Sequence, residues 1–152
     1  MMLLAAGSWL GKGSLLLEGR SLGETLEAQA QIDTDESGLS IRLEVALSGS
    51  THQLLVRVAA NEVGTYVLNV RSDLAQTLLG TAKLDSEPNL GLLWDDDRSI
   101  AATFSLFSRP GGLGCRGFVR SESATYTWEI AFARKQQVVK GDNVVSLRGR
   151  RR

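Results

Sequence analysis

Residues Gly38-Leu39-Ser40-Ile41-Arg42-Leu43-Glu44-Val45-Ala46-Leu47-Ser48-Gly49 put Leu39, Ile41, Leu43, Val45 and Leu47 on one face and Ser40, Arg42, Glu44, Ala46 and Ser48 on the other. A period of two marks an extended strand with one buried face, because successive Cβ atoms point to opposite sides of the pleat. Upstream, Glu24 to Asp33 repeats it, with Leu26, Ala28, Ala30 and Ile32 opposed to Thr25, Glu27, Gln29, Gln31 and Asp33. The residues between, Thr34-Asp35-Glu36-Ser37-Gly38, carry turn chemistry. The two segments are predicted to form a hairpin.

The same rhythm runs outward from this hairpin. Strands are expected at about His52–Ala60, Gly64–Arg71, Asn89–Trp94, Ser99–Ser108, Leu113–Ser121 and Ala124–Arg134, each bounded by Gly, Asn, Asp, Ser or Pro. Their connections are short, which favours antiparallel neighbours over helical crossovers. Asp73 to Leu84 reads as a strand with Leu74, Leu78 and Leu84 on one face, or as a short helix capped by Ser72; Gly80 and Thr81 favour the strand. Gln136 to Leu147 adds a further strand through Val144, Val145 and Leu147, or lies along the surface. About ten antiparallel strands in up-and-down order would leave two long edges in an open sheet, and closure removes them. The expectation is an all-β, closed antiparallel up-and-down barrel. A two-sheet β-sandwich is the alternative, because periodicity does not show whether the first and last strands pair.

A chain of 152 residues suits one domain, read here as residues 1–147 followed by a basic tail, 148–152. Acidic and basic residues balance at 17 each, but Arg148, Arg150, Arg151 and Arg152 sit together, leaving a mildly acidic body. That distribution is not the basic folded face of a nucleic-acid module, and no nucleic-acid partner is expected. A single cysteine, Cys115, excludes an internal disulfide and a Cys-based zinc site. The apolar start, Met1 to Ala6, is shorter than a signal-peptide core or a membrane span and lacks a positive leader. No membrane span is expected, and the location is taken as cytoplasmic.

The chain opens Gly7-Ser8-Trp9-Leu10-Gly11-Lys12-Gly13, and its last strong strand ends Ala131-Phe132-Ala133-Arg134-Lys135. A Gly-x-Trp on the first strand and a basic residue ending the last resembles the shared signature of lipocalins, fatty-acid-binding proteins and related calycins. The resemblance implies a calycin-like barrel in which Trp9 plugs one end and Arg134 packs across it, bonding to the chain ends. The lipocalin Thr-Asp-Tyr motif and the usual disulfides are absent. The opening is also similar to that of nitrobindin-type haem barrels, which use a late histidine; none follows His52, so haem binding is not carried over.

Among chemistry-bearing residues, His52 is of the type most used as a general base, but no orienting carboxylate or nucleophile is visible beside it, and it reads as exposed and non-catalytic. Asp95-Asp96-Asp97 at a hairpin tip reads as a solvated turn, since consecutive side chains diverge and no EF-hand spacing follows. No phosphate-binding loop, dinucleotide fingerprint or paired-cysteine motif anchors a cofactor, so no cofactor or metal is expected. Arg116, Phe118 and Arg120 share one face of their strand; Tyr126, Trp128, Ile130 and Phe132 share one face of the next. If both faces point inward, Arg116, Arg120, Tyr126 and Trp128 form a cationic and aromatic pocket, and fatty-acid-binding barrels hold an acidic headgroup with inward arginine and tyrosine. If Cys115, Gly117 and Val119 face inward instead, both arginines go to solvent.

Gly11, Gly13, Ala28, Ala30, Ala102 and Gly117 alternate with bulky residues, which either leaves interior volume or accommodates neighbours across the barrel. The leading functional expectation is a binding module taking a small apolar or fatty-acid-like ligand into its interior. A non-enzymatic interaction or assembly domain, using an exposed face or the apolar N-terminus, and a barrel enzyme acting on a hydrophobic substrate are the alternatives. Oligomeric state is left open.

Overall fold

The computed structural model describes residues 2–73 and 77–135. They form β1 (Gly7–Leu17), β2 (Glu24–Asp35), β3 (Gly38–Leu47), β4 (Ser50–Ala60), β5 (Tyr66–Ser72), β6 (Leu78–Lys83), β7 (Asn89–Trp94), β8 (Ala101–Arg109), β9 (Gly112–Arg120) and β10 (Thr125–Arg134). Each strand pairs antiparallel with its chain neighbours, and β1 pairs with β10 from Trp9↔Arg134 to Leu17↔Tyr126, closing the barrel. The sandwich alternative is excluded by that last pairing. The segment Asp73 to Leu84 contributes a strand and not a helix, with Leu78 facing Val70 across β5. Leu74, the further strand read in Gln136 to Leu147, and the basic tail lie outside the described residues.

The β2–β3 hairpin shows how local chemistry sets register. Asp35 Oδ1 accepts from Ser37 N at 2.9 Å and Gly38 N at 3.1 Å, bending the chain back on itself. Gly38 has φ near 153°, and a Cβ there would run into the Val58 carbonyl, so no other residue fits. Arg57 of β4 donates to Asp35 Oδ1 and Oδ2, each at 2.9 Å, and ties that strand to the turn. With the turn fixed, Leu39, Ile41, Leu43, Val45 and Leu47 face Val58, Val56, Leu54, His52 and Ser50 across the next ladder, and all the apolar ones point inward.

The core is concentrated at one end of the barrel. Trp9, Ile32, Leu39, Val58, Leu68, Leu84, Leu106 and Leu113 are buried there, and Met2, Leu3, Leu4 and Ala5 pack against them. The apolar N-terminus therefore packs, partly buried, against the core. At ten strands the cylinder is wider than the eight-stranded barrels that already hold one small ligand, so the rest of the interior needs filling or stays open.

Candidate ligand site in the barrel

The filled end is built around Trp9. Its indole Nε1 donates to the Ala5 carbonyl at 3.0 Å, and the Arg134 guanidinium lies 5.4 Å from the indole ring centroid while donating to the Ala6 carbonyl. A Cβ on Gly7 would stand 3.1 Å from Arg134 Nη2, so the small residue makes room for the cation. Lys135 N donates to the Ser8 carbonyl at 2.8 Å, joining the end of the last strand to the start of the first. One arginine thus covers the aromatic plug and holds the chain entering β1.

Toward the other end the wall is thinner. Ile41, Leu43 and Val45 on β3 and Leu54 and Val56 on β4 point inward by register yet are only partly buried. So are Leu93, Phe104, Val119, Tyr126, Trp128 and Ile130 on the opposite wall. These inward-facing positions are less buried than the cluster around Trp9, while Leu26, Ala28, Val70 and Ala102 are buried among them. The end opposite Trp9 carries the β1–β2, β3–β4, β7–β8 and β9–β10 connections.

Glycines make room for aromatic rings along the inner wall. A Cβ on Gly11 would sit 2.6 Å from the Phe132 ring, and one on Gly117 2.5 Å from the Trp128 ring. Phe104 lies over Gly91 in the same way. Each ring occupies the place of its neighbour's missing side chain, so it lies along the wall instead of projecting across the lumen. Of the two uses foreseen for the small residues, these glycines accommodate bulky neighbours.

The pairing register separates the four residues read as a pocket. Gly117 faces Trp128 and Val119 faces Tyr126, so Tyr126 and Trp128 look inward together with Cys115, Gly117 and Val119. Arg116 and Arg120, on the other face of β9, look outward, which corrects their inward placement. Arg116 pairs with Glu129 at 3.3 Å with both side chains more than half exposed, and it lies over the Phe107 ring. Arg120 lines a surface cleft of about 490 Å³ with Asp97, Arg98 and Glu122. The physical reason is desolvation: two guanidinium groups inside an apolar wall would need carboxylate partners there, and outside they keep water.

Inside, the polar handles are modest. Cys115 faces inward and is partly buried; burial pushes its thiol up, partly offset by a hydrogen bond from Trp128. His52, expected on the surface, faces inward at the mouth with its side chain about a quarter exposed, and its Nδ1 is 3.6 Å from Asp73 Oδ1. That carboxylate lies just past the end of β5, out of reach of local sequence reading. Asp95 is also not the solvated residue expected of its triplet. It is 1 % exposed, and its carboxylate accepts from Ser99 Oγ at 2.6 Å and Ile100 N at 2.9 Å, bonds that hold its carboxyl below the usual range. Asp96 and Asp97 remain exposed. Among the described residues no three His, Cys, Asp or Glu side chains gather where a metal ion could be held.

Asn89 is a feature that sequence reading passed over. It is 2 % exposed, faces inward between Leu84 and Leu106 near the filled end, and its amide oxygen and nitrogen have no protein partner among the described residues. No family model matches the chain, and no curated protein matches it.

Proposed function

We propose that the barrel binds a small, neutral, largely apolar molecule, admitted through the end opposite Trp9. The observation that carries this reading is the partial exposure of inward-facing, mid-strand residues such as Leu43, Leu54 and Val56. Apolar surface left accessible inside a fold is where an apolar ligand gains most, since each square ångström it covers contributes about 25 cal/mol. A neutral ligand is favoured over a fatty acid because Arg116 and Arg120 lie outside, while Arg134 is engaged with Trp9 and the Ala6 carbonyl. Tyr126, Trp128 and Cys115 supply the polar edge that would orient it. The stacking of Arg134 on Trp9 and its bond to the N-terminal segment support reading the chain as a distant calycin, the class in which such barrels carry ligands.

Native mass spectrometry of protein purified from its own source tests the proposal. The expected result is a small additional mass, lost on extraction with organic solvent. A bare protein mass, together with lumen methyl resonances that do not move when neutral apolar compounds are added, would overturn it.

A further inference from the structure

The outer wall of the barrel has two different sides. The outward residues of β2 and β3 include Glu27, Gln29, Gln31, Asp33, Arg42 and Glu44, an ordinary solvated surface. The five strands β5 to β9, by contrast, contain no Asp or Glu that points outward; their outward charges are Arg71, Lys83, Arg109, Arg116 and Arg120. On β7 the alternation fails altogether. Gly91 and Leu93 point inward, yet Leu90, Leu92 and Trp94 on the outside are apolar too. A strand apolar on both faces is the pattern of one covered on both faces, and here Leu90 and Leu92 are 48 % and 49 % exposed.

The register joins these residues into a groove. Val67, Thr81, Leu92, Thr103 and Phe118 lie side by side across β5 to β9. Thr103 and Ser105 of β8 are short and form a floor, bracketed by Leu90 and Leu92 on one side and by Arg116 and Phe118 on the other. The groove holds about 690 Å³, with Lys83 at its rim. Its walls, on β7 and β9, stand two strand spacings apart, about 9–10 Å between backbones. The cations lining the channel are Lys83 and Arg116, the latter paired with Glu129 of β10; with Arg71, Arg109 and Arg120 on the same wall they leave an excess of positive charge, complementary to a helix with one apolar face and carboxylates at its borders.

We propose that the groove over β8 seats an amphipathic, acidic helix of a partner protein, in the helix-in-groove manner. This interaction is independent of the lumen, whose occupant enters from the barrel end. The test is fluorescence anisotropy with a labelled synthetic helix of about 15 residues, Leu on one face and Glu at its borders, titrated with the full-length chain. Binding weakened at least tenfold by Leu92→Glu, unchanged by Leu55→Glu on the distant β4 wall, and absent for the same peptide with Lys in place of Glu is the expected result. Phe118→Glu serves as the second variant should Leu92→Glu lose its fold by circular dichroism. Equal binding by the folded variants, or equal binding of the Lys peptide, overturns the proposal. So does either alternative occupant: Leu92-dependent binding to phosphatidylglycerol vesicles without peptide binding, or Leu92-dependent self-association in sedimentation without it.

Discussion

Trp9 and Asn89 stand in the same half of the interior and pull stability in opposite directions. Trp9 is 6 % exposed, with its ring covered by Arg134 and its only polar atom bonded to Ala5. Replacing it with Ala removes the plug and leaves a cavity, so Trp9→Ala is expected to cost about 3–5 kcal/mol in denaturant unfolding; an unchanged midpoint would contradict its placement. Asn89 keeps a donor and an acceptor in an apolar setting without a protein partner among the described residues. An unpaired buried amide costs about 1–3 kcal/mol, so Asn89→Leu is expected to stabilise the protein by an amount in that range. A loss of stability in the same unfolding measurement would mean the amide is held by something the protein does not itself supply. Trp9 was legible as a candidate closing residue through the short pattern of a Gly-x-Trp at a strand start with a terminal arginine. The isolation of Asn89 was not, since an Asn at a strand start reads as turn chemistry and its lack of partners depends on strands distant in sequence.

At the scale of elements, alternation is a strong signal wherever one face of a strand is solvated. The Gly38–Gly49 segment and its neighbours met that condition, and their faces and hairpin were read correctly from period and turn residues. The strand Gly112–Arg120 did not. Cys115, Gly117 and Val119 alternate with Arg116, Phe118 and Arg120, and neither set is plainly the inner one, because glycine is silent and phenylalanine suits either side. The pairing Gly117↔Trp128 decides it, through a ring that needs the glycine's empty space. The β2–β3 turn offers a pH test at this scale. Arg57 and the Ser37 amide and hydroxyl hold the Asp35 carboxyl below the usual carboxylate range. Its stabilising effect is therefore complete above the ordinary Asp value of about 4 and is lost as pH falls from there through the lower folded-state value. In urea unfolding followed from neutral to acid pH, Asp35→Asn is expected to lower stability near neutrality and to flatten the decline below about pH 4. Parallel curves for the two proteins would show that the turn carboxylate contributes nothing.

For the whole molecule, the order of ten strands and their closure were legible from short turns and from the cost of open edges, but the state of the lumen was not. Composition along a strand does not tell whether a small residue leaves room or is filled from across the ladder; the rings over Gly11, Gly91 and Gly117 are contacts between strands. The interior is solid around Trp9, and the proposal that the space above it admits a ligand is the account's central claim. The most direct test is fluorescence titration with a neutral, environment-sensitive naphthalene dye, comparing the native chain with Leu43→Trp, which places an indole in the lumen, and Leu92→Glu, which alters only the outer groove. The expected result is saturable binding with a blue-shifted emission in the native chain, unchanged in Leu92→Glu and weakened at least tenfold in a folded Leu43→Trp. Equal binding by Leu43→Trp, or loss of binding in Leu92→Glu alone, would contradict an accessible lumen and place the dye on the outer wall.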